Sequence, residues 1–183
     1  SAIGSPVHVS DLDPKAKIFR AKLLYGIKGV ELPAAEQKDK ARIVAGGHML
    51  INPDGSMSLT RRLTAKGAYW APCATLASTR FVAAHAAATQ LTLTTIDLET
   101  AYLQADYRDG MVYITLPHAV LDLLPDVWKE KVEKCYKDME DKARAEGREP
   151  PPRSAKDVCF PVLKALYGLQ RSGYDFISAF QQT

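Results

Sequence analysis

The sequence predicts an α+β fold with a mainly antiparallel sheet and packed helices. Two observations carry this prediction. The first half of the chain contains two strand-like runs joined by a short turn, as in an antiparallel hairpin. Further along, two runs have helical character, one rich in alanine and the other with an apolar stripe at helical spacing.

The predicted hairpin opens the fold. Its strands are KAKIFRAKLLYGIKGV at 15–30 and KDKARIVAGGHML at 38–50, both rich in basic residues. The turn-prone run ELPAAEQ separates them. Residues 51–72 are predicted to be loop, because Pro-Asp-Gly at 53–55 and Ala-Pro at 71–72 interrupt any regular pattern.

A helix is predicted over residues 75–90, where alanines of high helix propensity dominate. Gln90 to Asp97 then reads as a buried, threonine-rich strand, and MVYITL at 111–116 as another. Asp97 stands out, because a carboxylate ending a buried strand is costly unless a cation or a hydrogen bond compensates it. Four apolar residues could form the inward face of the helix: Leu76, Phe81, Val82 and Ala86.

A second helix is predicted over 125–149. Pro125 and Asp126 favour a helix start, while Gly147 and the three prolines at 150–152 favour a stop. The apolar stripe comprises Trp128, Val132, Cys135 and Met139, and acid-before-base pairs such as Glu133–Lys137 and Asp138–Lys142 lie on the other faces. We expect the stripe to pack on its own domain; binding to a partner is the alternative.

Charge is distributed unevenly along the chain. Residues 1–96 hold 12 lysines and arginines against 6 aspartates and glutamates, whereas residues 97–118 hold 1 against 4. A basic first half beside a small acidic patch suits a phosphate-bearing partner held near bound metal. A solvated, lysine-rich surface is the alternative interpretation.

The overall composition, with 46% hydrophobic and 25% charged residues, is that of a globular chain. No apolar run approaches the roughly 20 residues that span a bilayer, so no membrane partner is expected. The three cysteines share no metal-like spacing and their odd number argues against a disulfide framework, which predicts reduced thiols and an intracellular location. Because the sequence begins with Ser1 rather than Met, we expect it to be a piece of a longer protein.

Five motifs follow one another along the chain. They are KARIVAGGH at 40–48, WAPCATLASTR at 70–80, IDLETAYLQAD at 96–106, VYITLP at 112–117 and VCFPVLKALYGLQRSG at 158–173. In order and content they resemble the reverse transcriptase of copia-type retrotransposons, which shows KARLVARG, FAPV, LDVKTAFLNG, VYMxQP and LKKALYGLKQSPRAW runs. Each motif alone is a weak signal, and ALYGL is the most specific. Five in the right order are a strong one.

The resemblance implies a right-hand polymerase of which this chain carries the fingers and part of the palm. It divides the chain into a fingers-like basic segment at 1–96, a palm strand-turn-strand at 97–118, a helical insertion at 119–157, and a palm and fingers segment with the ALYGL run at 158–183. The helix at 75–90 would support the palm.

By resemblance, Asp97 matches the first catalytic aspartate, which holds two magnesium ions. Hard cations need carboxylate oxygens, and in the family they orient the attacking 3′-hydroxyl and neutralise the triphosphate. Leu98 would lend its backbone carbonyl to one ion. A strand-end aspartate that caps the following turn is the alternative reading of Asp97.

Five further residues match nucleotide-binding positions of the family. Tyr102 would stack under the sugar and exclude a 2′-hydroxyl, and its alternative is a core tyrosine. Lys40 and Arg42 resemble the triphosphate clamp, where arginine offers a planar donor fork and lysine a point charge. The alternative is that these basic side chains only face solvent, as lysines on strands more often do. Tyr167 and Gly168 match the segment that lines the nucleotide and template side of the pocket.

The implied partners are an RNA or DNA template with its primer, deoxynucleoside triphosphates, and the rest of the Pol polyprotein, namely thumb, RNase H and integrase. The implied location is a cytoplasmic particle, the nucleus, or both.

The sequence also departs from the family. Glu99 replaces a lysine, Gly173 and Phe176 replace a proline and a tryptophan, and the segment 119–157 is unusually long. No pair of adjacent aspartates like that of YVDD occurs, so the metal site is expected to be incomplete. The alternatives to a polymerase fragment are a non-catalytic retroelement remnant or a domesticated nucleic-acid-binding module, and, more distantly, an unrelated α+β domain.

Overall fold

The structure, a computed structural model, describes residues 1–52, 54–60, 73–108 and 110–181. The predicted α+β class is confirmed. The strands are β1 (Val7–His8), β2 (Lys17–Lys28), β3 (Lys38–Ile51), β4 (Met57–Leu59), β5 (Val112–Thr115) and β6 (Val158–Pro161). The helices are α1 (Leu76–Ala88), α2 (His118–Asp122), α3 (Asp126–Ala145) and α4 (Ser172–Phe180), with short 3-10 helices at Val9–Asp11 and Ala101–Gln104.

The strands form one mixed sheet in the order β1-β6-β5-β2-β3-β4. Adjacent strands are antiparallel, except that β2 and β5 run parallel to each other. The long β2–β3 hairpin confirms the two basic strands predicted from the sequence, and β5 confirms the strand predicted at 111–116. The sheet is therefore mainly antiparallel, as predicted, and the parallel pair is the departure from that prediction.

The core lies where α3 covers the inner strands. Ile18, Ile114 and Phe160 are almost completely buried. The Trp128 ring of α3 lies with its centroid 6.1 Å from that of Phe160, and Met139 is buried. The predicted stripe therefore packs on its own domain. No helix of the described residues is both long enough and apolar enough to cross a membrane.

Ion pairs on α3 follow the prediction only in part. The Lys137 Nζ lies 3.9 Å from the Glu133 carboxylate, as expected for residues one turn apart. Lys142 instead donates to Asp11, at 2.6 Å, and thereby links α3 to the N-terminal segment. An exposed lysine pairs with a carboxylate that is close in space, and the spacing of residues along the helix does not identify a partner from another segment.

The predicted inward face of α1 is wrong. Leu76, Phe81 and Val82 are 65%, 73% and 53% exposed, and within the helix only Ala86 is buried. High helix propensity is enough to form the helix. Burial of one face also needs a surface to pack against, and the described part of the chain places none there.

The strand predicted from Gln90 to Asp97 is also wrong. Residues 91–98 have no regular secondary structure and are exposed, with Ile96 84% exposed. A strand needs a hydrogen-bonding neighbour. Residues 91–98 pair with no strand of the described sheet, so their backbone forms no ladder.

Some predictions fall outside the described residues. Within the loop predicted at 51–72, these are residue 53 and residues 61–72. The first three residues of the motif at 70–80 and Asp109 also lie outside the described residues.

The cysteines are not in disulfides, as predicted. Cys73 is exposed, Cys135 is half-buried and Cys159 is buried. Burial raises the pKa of Cys135, and it raises the pKa of Cys159 to about 12.

These environments predict an order of thiol reactivity. Only the thiolate is nucleophilic. At pH 8 about one Cys159 side chain in 10,000 would be ionised, because its pKa lies about four units higher. We expect iodoacetamide to alkylate Cys73 first and Cys159 last. A time course of alkylation at each cysteine, measured by mass spectrometry, checks this order. In urea, or as pH rises toward 12, the Cys159 rate should increase. Equal native rates for Cys73 and Cys159 at pH 8 would contradict the buried position of β6.

Candidate functional site

The β2–β3 hairpin extends away from the core and has two unlike faces. None of residues 22–44 is buried. In the observed register Arg42 lies opposite Leu24, Lys40 opposite Gly26, and Lys38 opposite Lys28. Directly paired residues share a face, so five cations lie on one side of the hairpin. These cations are Lys22, Lys28, Lys38, Lys40 and Arg42.

The opposite face of the hairpin is apolar. It carries Leu23, Ile27 and Ile43, together with Tyr25, whose hydroxyl donates to Asp39 at 2.5 Å. The acidic residue of the paired strands therefore lies away from the basic face. As a result, no acidic side chain of the paired strands lies on the basic face to reduce its positive potential.

A groove of about 300 Å³ crosses the hairpin at Gly26. Lys28, Lys40 and Arg42 are among its lining residues. Gly26 leaves the groove open, since a Cβ added there would meet nothing within 4 Å. An open groove beside three cations can accept a phosphate group.

Beside Arg42 lies an aromatic cluster of Tyr102, Tyr167 and Phe176. The Tyr102 and Tyr167 ring centroids are 4.7 Å apart, and the Tyr102 and Phe176 centroids 5.8 Å. The Arg42 guanidinium carbon lies 5.8 Å from the Tyr167 ring centroid. Three of the residues selected from the sequence, Arg42, Tyr102 and Tyr167, thus share one surface.

Two glycines place Tyr167 against the hairpin. The Ala45 N–H donates to the Tyr167 carbonyl at 2.8 Å. Gly168 has φ +92°, and a Cβ there would lie 1.9 Å from the Ala45 carbonyl oxygen. A Cβ on Gly47 would lie 2.1 Å from the Gly168 oxygen. Gly168 therefore serves close backbone packing on β3, and its contact with a nucleotide stays a prediction.

Asp97 and Leu98 lie outside the aromatic cluster. Asp97 is exposed and makes no hydrogen bond or ion pair with a described residue, and Leu98 is 41% exposed. The free-energy cost expected for a carboxylate at the end of a buried strand does not arise, because the segment is not buried. The 3-10 helix Ala101–Gln104, which carries Tyr102, begins four residues after Asp97.

The donor set does not fit a pair of magnesium ions by itself. Among the described residues there is no group of three or more His, Cys, Asp or Glu side chains that could hold a metal. Asp97 supplies one carboxylate and Leu98 one carbonyl, whereas magnesium prefers six oxygens in octahedral geometry. Asp106 does not add to them, because its carboxylate already accepts from the Lys164 ammonium at 2.6 Å.

The residues that hold α4 in place were not among those predicted from the sequence. Asp175 is 2% exposed and accepts from Arg171, while the buried Ser172 hydroxyl donates to the Leu166 carbonyl at 2.6 Å. An aspartate one turn after an arginine, inside an otherwise apolar helix, was the available signal for this pair. Its contact with Arg108, 67 residues earlier, left no sequence signal.

Compared with protein-family models, with curated proteins and with solved structures, the chain gives no match in any of the three.

Proposed function

We propose that this chain is the fingers and the first part of the palm of an RNA-directed DNA polymerase of the copia retrotransposon type. The observation that carries the proposal is the shared surface of Arg42, Tyr102 and Tyr167. These residues come from three of the five motifs and are distant in sequence. A chance resemblance gives no reason for them to converge.

The proposed surface would bind a nucleotide through two kinds of contact. Lys40 and Arg42 would bind phosphate oxygens, with the arginine fork making paired hydrogen bonds. Tyr102 would lie under the sugar, supported by the Tyr167 and Phe176 rings. The partners proposed are a template with its primer and deoxynucleoside triphosphates.

Asp97 would be one of the carboxylates that hold the two magnesium ions. Since the sequence contains no pair of adjacent aspartates, the proposal requires further carboxylates from outside these 183 residues. We therefore expect the chain alone to incorporate no nucleotide with either magnesium or manganese. The test is primer extension by the purified chain and by the full open reading frame.

The basic face of the hairpin should bind single-stranded nucleic acid in a salt-dependent way. Removing one cation that binds a phosphate should reduce the slope of log K against log salt by about 0.7, so Lys40→Gln combined with Arg42→Gln should reduce it by about 1.4. Lys129→Gln combined with Lys137→Gln removes the same charge from α3 and should leave the slope unchanged. Fluorescence anisotropy with a labelled oligonucleotide, measured over a several-fold range of salt concentration, provides the data.

The outcomes of these assays separate the candidate functions. Extension by the full reading frame supports the polymerase. Salt-dependent binding through Lys40 and Arg42 without extension supports a domesticated nucleic-acid-binding module instead. Equal slopes for the hairpin and α3 variants would remove the hairpin from the binding surface.

A further inference from the structure

We propose that Asp175 is a positioning residue for Tyr102 and Tyr167, acting through the placement of α4. The contacts of Asp175 support this geometric role by themselves. Its consequence for nucleotide selection rests on the proposed function.

Asp175 is a buried carboxylate with two different donors. Its Oδ1 accepts from the Arg171 Nε at 2.8 Å, and its Oδ2 accepts from the backbone N–H of Arg108 at 3.3 Å. The first contact lies at the start of α4, whereas the second reaches the segment that follows Tyr102. Both oxygens are therefore used, and each joins the carboxylate to a different part of the chain.

Those contacts connect α4 to the segment that carries Tyr102. The 3-10 helix Ala101–Gln104 packs against α4, and the Phe176 ring, next to Asp175 in sequence, meets the Tyr102 ring. The segment from Tyr102 to Arg108 is thus held to α4 at both ends. One end is held by an aromatic contact and the other by the Asp175 carboxylate.

Ser172 extends the same arrangement to Tyr167. Its buried hydroxyl donates to the Leu166 carbonyl, directly before Tyr167 in sequence. The two buried polar side chains of α4, Ser172 and Asp175, therefore hold the two segments whose tyrosines touch. A shift of α4 would change the distance between the Tyr102 and Tyr167 rings.

The chemistry of Asp175 is specific to a carboxylate. Two donors approach its two oxygens, so an asparagine could accept from only one of them and would point its NH₂ group at the other. A buried donor that faces another donor is unfavourable, and α4 would move to relieve it. The size of the side chain is almost unchanged by this substitution, so packing volume is not altered.

The experiment compares Asp175→Asn with Asp106→Asn in the 183-residue chain. Asp106 is a matched control, because it is an aspartate in the same region that also pairs with a cation, Lys164, but is exposed. Tyrosine ring signals are recorded by NMR, and variants Tyr102→Phe and Tyr167→Phe assign the two signals. We expect Asp175→Asn to shift or broaden both, and Asp106→Asn to leave both in place.

Arg171→Gln covers the case in which Asp175→Asn fails to fold. It removes the charged donor while leaving the Arg108 contact, and we expect a smaller shift of the same two signals. If both tyrosine signals stay unchanged in the folded variants, Asp175 has no positioning role and the inference fails.

In the complete enzyme the same variants test nucleotide selection. Because small displacements of an orienting group have large kinetic effects, Asp175→Asn should change the ratio of ribo- to deoxynucleotide incorporation by about tenfold. Asp106→Asn should not change it. If wild-type enzyme does not extend a primer, the proposed function fails, while the NMR result still decides whether Asp175 positions the tyrosines. Shifted tyrosines with an unchanged ratio would overturn the proposed role in selection.

Discussion

If the full open reading frame is the polymerase that we propose, Asp97→Asn is expected to abolish its primer extension while leaving the fold and nucleic-acid binding intact. The substitution keeps the size of the side chain but removes the charge that the two magnesium ions of the proposed mechanism require. Asp97 is exposed and makes no polar contact with the described residues, so its replacement should change the free energy of unfolding by no more than about 0.5 kcal/mol. Single-turnover extension, circular dichroism and oligonucleotide binding measure the three quantities.

The neighbouring acidic residues are the controls. Glu99→Gln, Asp106→Asn and Asp109→Asn should each retain activity within about tenfold, or roughly 1.4 kcal/mol of barrier. The structure supports this for Asp106, whose carboxylate is paired with Lys164. Activity that survives Asp97→Asn but is lost in Glu99→Gln would show that the catalytic motif has been placed two residues away from its true position.

Gly168→Ala should lower the free energy of unfolding more than a typical substitution at an exposed position does. The backbone there has φ +92°, which costs an L-residue with a side chain about 1–2 kcal/mol. The added Cβ would also lie 1.9 Å from the Ala45 carbonyl oxygen, so β3 and the loop must separate. We expect a total loss on the order of 4 kcal/mol, a large part of the roughly 5–15 kcal/mol that stabilises a typical domain.

Gly55→Ala separates the two causes. Gly55 has φ +81°, similar to Gly168, but a Cβ there would meet nothing within 4 Å. Only the backbone strain applies, so the expected loss is about 1 kcal/mol. Urea denaturation of both variants gives the two free energies. Similar losses would mean that the loop at Gly168 does not approach β3 so closely.

The same substitution has a predicted effect on the candidate site. The Tyr167 carbonyl accepts from the Ala45 N–H, and its ring lies beside Arg42. Moving the loop away from β3 would separate these groups. Oligonucleotide affinity should therefore fall in Gly168→Ala at temperatures where the chain remains folded, and should be unchanged in Gly55→Ala.

Local sequence was enough to determine much of the secondary structure. The basic strands β2 and β3, the helix α1, the strand β5 and the helix α3 all occur where their patterns predict them. These elements depend on short-range properties, namely helix propensity, alternation and turn residues. The stripe on α3 also predicted its buried side, because an amphipathic helix has only one apolar face to bury.

Tertiary structure decided which surfaces are covered and which distant residues meet. The same apolar patterns that predicted buried faces at Phe81 and Ile96 lead to exposed ones, because burial and strand pairing require a neighbour that local sequence does not specify. The parallel pairing of β2 with β5 and the contact of Asp175 with Arg108 likewise join residues far apart in the chain. The sequence selected Arg42, Tyr102 and Tyr167 separately, but only the packing of the Gly168 loop on β3 and of α4 on the 3-10 helix brings them together. The physical reason is that these contacts depend on the spatial fit of distant segments, whereas periodicity and propensity report only on residues close along the chain.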